Sequence, residues 1–336
     1  MMMKLMSSVA LLSAAVMSAQ THANVHSSHQ VYLVEQQAAQ TFSKKTENLA
    51  SVFADFCATE RSDSAPVTQA WHQAMLSWMA LQGQERGPVA ALEQSWNIQF
   101  WPDKKNTTGR KMAALIRQDR EWLPDDISQQ SVTMQGLGAI EWLLYDPASD
   151  LQVNSKTCKT GTVIAQNLQN NAKAIALAWK ENPWQALDQA GWYAEYIALL
   201  SNQLDYSMKK LSRPMAKIGK PRPYFSESWR SQTSLSNLKS NVVAMEKLYL
   251  ANGKGLDATL RARGKIQLAD SIKTQFATVL ETWPSQSSLF GLLKSKPGYQ
   301  TVMAQFNKLE QLNYLIHEEV AIELGVVIGF NATDGD

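Results

Sequence analysis

Histidine and cysteine are scarce in this chain, with five and two respectively among 336 residues. A zinc peptidase needs two histidines in a short motif such as His-Glu-x-x-His, with a further ligand and a general base. Beyond an N-terminal leader only His26, His29, His72 and His317 remain, and no pair of them forms such a motif. Two cysteines exclude haem attachment through Cys-x-x-Cys-His. There is no Walker loop, no dinucleotide glycine motif following a strand, and no Gly-x-Ser-x-Gly nucleophile elbow. No stretch approaches the ~20 consecutive apolar residues of a membrane span. Excess charge of one sign is missing too. The 32 Lys and Arg stand against 30 Asp and Glu, a net +2 that implies neither nucleic acid nor an anionic membrane surface as partner.

The first 23 residues read as a targeting segment. Lys4 is followed by an apolar run from Leu5 to Ala19 and by Thr21-His22-Ala23. A basic start, short apolar middle and small-residue end predict a cleavable secretory signal over residues 1–23, with cleavage after Ala19 as the alternative. An exported chain with two cysteines in an oxidising compartment most simply pairs Cys57 with Cys158. By the chain-entropy model, closing a loop of ~100 residues is worth up to ~4.7 kcal/mol.

Strand signals are nearly absent, whereas apolar residues recur at three- and four-residue spacing throughout. The chain is all-α. Its length suits two packed helical bundles, read here as residues 24–157 and 158–336, with the basic connection near Lys217 as the alternative boundary. The polar segment Ala148–Thr160, which carries Cys158, reads as a linker. The segment Lys209–Arg222 contains six basic residues, no acidic ones and two prolines before Pro223, which predicts an extended basic connection, either solvated or a dock for an anion. Leu137–Leu143 can be laid over Val242–Leu248, matching Glu141 to Glu246. That match suggests an internal duplication, with both carboxylates approaching one interface between the bundles. In the alternative, each Glu caps or bridges helices, with Lys104, Lys105, Arg110 or Arg230 as partner.

The residue that stands out is Glu141, a single carboxylate within Gly136-Leu137-Gly138-Ala139-Ile140-Glu141-Trp142-Leu143-Leu144-Tyr145. At helical spacing it shares a face with Gly138, Leu144 and Tyr145, so its charge points toward packed surface. A carboxylate out of water is costly unless paired, hydrogen-bonded or metal-bound.

This stretch resembles the imelysin signature Gly-x-His-x-x-Glu, in which His and Glu lie three apart and can meet one metal ion. The resemblance extends to Phe100–Asn106, Pro221–Ser231, Leu324–Asn331 and Asp334-Gly335-Asp336, and covers essentially the whole chain after the leader. Imelysins, also classed as the M75 peptidase-like group, are cell-envelope proteins of two helical bundles with a presumed site between them, associated with iron uptake. The resemblance thus implies an iron or other divalent ion as cofactor, and an iron- or haem-related ligand or an envelope protein as partner. Only Gly136 and Glu141 of the motif carry over, because Gly138 stands where the family has histidine. One carboxylate is a poor transition-metal site, and Gly138 leaves room for a ligand or another backbone to approach. Asp103, Lys104, Arg110, Glu227 and Arg230 are expected to line the same cleft, supplying charge beside aromatic residues. Binding without turnover, metal-dependent peptidase activity, and an envelope scaffold whose site has decayed are the functions left open.

Overall fold

The computed structural model describes residues 25–59 and 63–326; the expected leader lies outside the described residues, as do residues 327–336 of the C-terminal motif. Helices α1 (His29–Ala58) and α2 (Ala65–Trp78) open the chain, and short helices α3 (Val89–Leu92), α4 (Ser95–Ile98), α5 (Thr107–Leu115) and α6 (Pro124–Ser128) follow. Next come α7 (Gly136–Tyr145), α8 (Ser155–Ala178), α9 (Gln189–Met215) and α10 (Ser234–Leu250). The chain ends through α11 (Leu256–Ala262), α12 (Ile266–Glu281), α13 (Leu289–Leu292), α14 (Lys296–Tyr314) and α15 (Val320–Leu324). Among the described residues there is no strand, only an isolated bridge between Lys217 and Lys220. No helix among them is long and apolar enough to cross a membrane.

Local chemistry explains the long helices. In α1 the buried residues Val31, Tyr32, Val34, Glu35, Ala39, Phe42, Thr46, Leu49, Phe53 and Phe56 fall on one stripe, the pattern of a helix packed on one side. Helix α2 begins with Pro66 in its first turn, where the missing N–H costs nothing. The Asn154 side chain caps α8 by accepting from the N–H groups of Lys156 and Thr157, and Asp188 caps α9 through Gly191 N–H.

The observed helix bounds correct two expectations. Ala148–Thr160 is not wholly linker, because the Asn154 cap starts α8 at Ser155 and places Cys158 inside a helix. The basic connection is also shorter than expected, because α9 continues to Met215 and takes in Lys209, Lys210 and Arg213, with Pro214 in its last turn.

Helix α8 lies along α1 and also packs on α3, α4, α6 and α7. Cys57 near the end of α1 is disulfide-bonded to Cys158 near the start of α8, with the Cα atoms 5.5 Å apart. By packing, α8 therefore sides with the first helices, although a division at 158 would give it to the second bundle. Helices α9, α10, α12 and α14 form the second group, and α10 also touches α1 and α2, so one apolar core runs through both groups. Trp179, Trp184, Trp192 and Tyr196 pack ring on ring at the α8–α9 junction, with centroids 5.4, 5.2 and 5.0 Å apart in sequence. Each such pair is worth ~0.5–1.5 kcal/mol beyond its burial, so the turn between the groups is tightly held.

Candidate functional site: a buried acid beneath an aromatic rim

Helix α7 begins at Gly136, whose φ of +65° is left-handed and whose added Cβ would lie 2.2 Å from the carbonyl oxygen of Ile98. Only glycine lets α7 start against α4 so closely. Two residues on, a Cβ added to Gly138 would meet nothing within 4 Å. That open space adjoins a cavity of about 30 Å³ lined by Gln99, Phe100, Trp101, Asp103, Thr108, Gly138, Glu141, Tyr224, Ser226, Ser228, Trp229 and Arg230. It has room for one water-sized group.

Glu141 is buried, and its Oε1 accepts from both the backbone N–H and the Oγ–H of Ser231, each at 2.9 Å. Burial pushes its carboxyl above the ordinary carboxylate range, the two Ser231 bonds and the Arg230 charge oppose this, and the Glu227 charge adds to it. Ser231 sits between Ser228 (φ 47°) and Gln232 (φ 61°), two left-handed non-glycine residues. Such residues cost ~1–3 kcal/mol each and persist where surrounding contacts hold them. Here the holding contacts are explicit. Ser228 Oγ accepts from Asn237 at 3.0 Å, and Ser231 Oγ also lies 3.2 Å from Ser228 O.

Arg230 ties the rim together. Its Nε is 2.7 Å from Asp146 Oδ2 at the end of α7, its Nη2 is 2.6 Å from Asn106 Oδ1 at the start of α5, and its guanidinium lies over the Trp229 ring at 4.4 Å. Asp103 is committed to α5, accepting from Thr107 N–H at 2.6 Å and Thr108 N–H at 2.9 Å.

Behind the cavity lies a polar knot. Lys210 of α9 and Glu227 are both 1% exposed and 2.6 Å apart. Lys210 Nζ also donates to Gln82 Oε1 at 2.9 Å and Asn241 Oδ1 at 2.8 Å, while Glu227 Oε1 accepts from Gln82 at 2.6 Å and Gln99 at 3.0 Å. Burial pulls the Lys210 ammonium down from its ordinary range, and the charge of Glu227 opposes the shift. The knot joins the turn after α2, the Gln99 loop, α9 and α10, and so ties the Ser226–Thr233 loop to both helix groups.

Of the expected site residues, Asp103, Gly138, Glu141 and Arg230 do come around one cavity. Gly136 shapes the backbone beneath it, and Glu227 lies behind the lining as the partner of Lys210. Lys104 and Arg110 are exposed and do not line the cavity. Glu246 is half-buried on α10 and does not join Glu141 there. The groups that α10 directs to the knot are Asn237 and Asn241. One signal could have found them: two amides four apart among the buried positions of an amphipathic helix. The serines that complete the site, Ser226, Ser228 and Ser231, lay within the quoted motif but carry no distinguishing pattern in sequence.

The donor set does not fit a resident transition metal. Glu141 supplies one carboxylate already engaged by Ser231, Asp103 is engaged by α5, Glu227 is engaged by Lys210, and Gly138 supplies no side chain. Among the described residues no three His, Cys, Asp or Glu side chains converge in a way that could hold a metal ion.

Comparisons place this geometry in context. No curated protein matches the chain in sequence. An imelysin-like protein from Psychrobacter arcticum has the same fold, with a TM-score of 0.72 at 16% identity over 91% of this chain and 99% of that one. A protein described as an iron-regulated protein A precursor, from Parabacteroides distasonis, gives a TM-score of 0.66 at 14% identity over 89% of this chain and 97% of that one. The family model described as imelysin, of the M75 peptidase group, matches residues 35–316, and the chain belongs to the imelysin family.

Proposed function

We propose that this protein is a non-catalytic binding component of the cell envelope that serves iron uptake, with its ligand seated at the mouth of the Glu141 cavity. The observation that carries the reading is the cavity itself. A buried acid, an open space at Gly138 and a hydroxyl-lined floor form a place to bind, and among the described residues no three His, Cys, Asp or Glu side chains converge to hold a metal. Support for the iron link comes from the structural relative described as iron-regulated, and support for export from its description as a precursor. The expected leader and the Cys57–Cys158 disulfide accord with an oxidising, periplasmic location.

Titration calorimetry with Fe(II), Fe(III), Zn(II) and haem, against wild type and Glu141→Ala, tests this. Saturable one-to-one binding of an iron species, lost in the variant, supports it. Absence of binding, or binding indifferent to Glu141, overturns the site and turns the search toward a scaffold role with a protein partner. The M75 peptidase label of the family favours metal-dependent peptidase activity as the second reading. Chelator-sensitive cleavage of an unfolded polypeptide, abolished by Glu141→Gln, would establish it.

A further inference from the structure

Resting on that reading, we propose that the ligand is a small planar aromatic anion of the catecholate or aryl-carboxylate class, carried free or as its ferric complex, and that it is recognised by an aromatic ledge at the cavity mouth. The ledge is built from Tyr224, Trp229 and Phe290. Tyr224 packs edge-on against Trp229 at 5.0 Å and against Phe290 at 4.9 Å, and Trp229 and Phe290 lie roughly parallel at 6.2 Å. Tyr224 is nevertheless 61% exposed. Tyr224 and Trp229 also line the Glu141 cavity, so ledge and cavity form one continuous surface.

Three further observations select the ligand. First, Ser226 lines the cavity, is buried, and its Oγ has no hydrogen-bond partner among the described residues. A buried unpaired hydroxyl is costly, and a ligand hydroxyl fits both its chemistry and the space of about 30 Å³. Second, Lys294 Nζ lies 4.3 Å over the Phe290 ring of the ledge; it is exposed and has no ion-pair partner among the described residues. Cations beside an open ring complement an anionic aromatic ligand. Third, among the described residues the cavity offers a metal one free carboxylate at most, so iron held there arrives with its own donors. A free anion whose ring stacks on Tyr224, with one hydroxyl in the cavity and its anionic edge toward Lys294, satisfies the first two, and an Fe(III) complex of the same class brings the donors that the third requires.

The test titrates dihydroxybenzoate, its Fe(III) and Ga(III) complexes, and cyclohexanecarboxylate as a saturated control, following tryptophan fluorescence and heat. Wild type, Tyr224→Ala, Lys294→Ala and Ser226→Ala are compared. The expected result is saturable binding of the aromatic probes but not of the control, weakened roughly two- to tenfold by Tyr224→Ala, the loss of one aromatic contact. Binding of the iron-free probe identifies the free anion as sufficient; binding of the Fe(III) and Ga(III) complexes alone identifies the chelate. Equal binding of the saturated ring, or aromatic binding that survives Tyr224→Ala, overturns the ledge. Iron or haem binding that depends on Glu141 but is matched by no aromatic probe also overturns the ledge, while leaving the Glu141 reading in place.

Discussion

Lys210 Nζ lies 2.6 Å from Glu227 Oε2 at the junction of the two helix groups, with both side chains 1% exposed. A buried ion pair is weak evidence of net stabilisation, but removing one partner strands the other, at a cost of ~3–5 kcal/mol. Lys210→Met should therefore lower the unfolding free energy by about that amount, and the double variant Lys210→Met with Glu227→Gln should recover much of the loss. Urea unfolding of the wild type and the two variants checks this; equal stability of Lys210→Met and wild type would contradict it.

Gly136 and Gly138 stand two residues apart and should respond oppositely to alanine. At Gly136 the left-handed φ and the approach to Ile98 O predict a loss of roughly 3 kcal/mol or more. At Gly138 the open space predicts a gain of about 0.5–1 kcal/mol from helix propensity. Thermal melts of the pair decide the matter.

Because Gly138 opens onto the Glu141 cavity, Gly138→His should place an imidazole one helical turn from Glu141, with the rim shifting outward because the cavity now holds only one water-sized group, and supply a donor that the site lacks. The expected outcome is Zn(II) binding detectable by calorimetry in the variant and undetectable in wild type. Zn(II) binding of equal affinity in both proteins would show that the present donor set already suffices.

Glu35 is a second buried acid, on α1 facing α10, whose two oxygens accept from Gln84 at 2.8 and 2.9 Å. Burial, opposed by the Gln84 bond, pushes its pKa from the ordinary 4.5 up to about 8. The folded state therefore holds a proton that the unfolded chain releases. This contribution is fully present below about 4.5 and is lost as pH rises through about 8. Glu35→Gln should be close to neutral at pH ~4.5 and stabilising by about 4 kcal/mol at pH ~8. Parallel stability–pH curves for variant and wild type would refute the assignment.

Reduction of the Cys57–Cys158 bridge should lower stability by an amount approaching ~4.7 kcal/mol in the chain-entropy model. Denaturant midpoints with and without a thiol reductant measure it, and identical midpoints would mean that the reduced unfolded chain is already compact.

The sequence by itself determined the all-α class, the Cys57–Cys158 pairing, the helix that carries Glu141 and the family. Helical periodicity, caps and motif order are local properties, readable within a few residues of one another. Asp103 and Arg230 were expected near Glu141, with Lys104, Arg110 and Glu227, as charged residues beside aromatics, a pattern that did not separate the lining residues from the others. Which cation meets which carboxylate was decided by the tertiary structure alone. Lys210, read as part of a basic connection, turned inward as the last turns of α9 extended past it. Lys104 and Arg110, equally basic in sequence, stayed at the surface. Ser231 became the partner of Glu141 because two left-handed residues aim its N–H, and Asn237 and Asn241 reached the polar knot where Glu246 did not. The rotation of each helix about its axis and the path of each loop follow from packing summed over the whole core, which no short window of sequence contains.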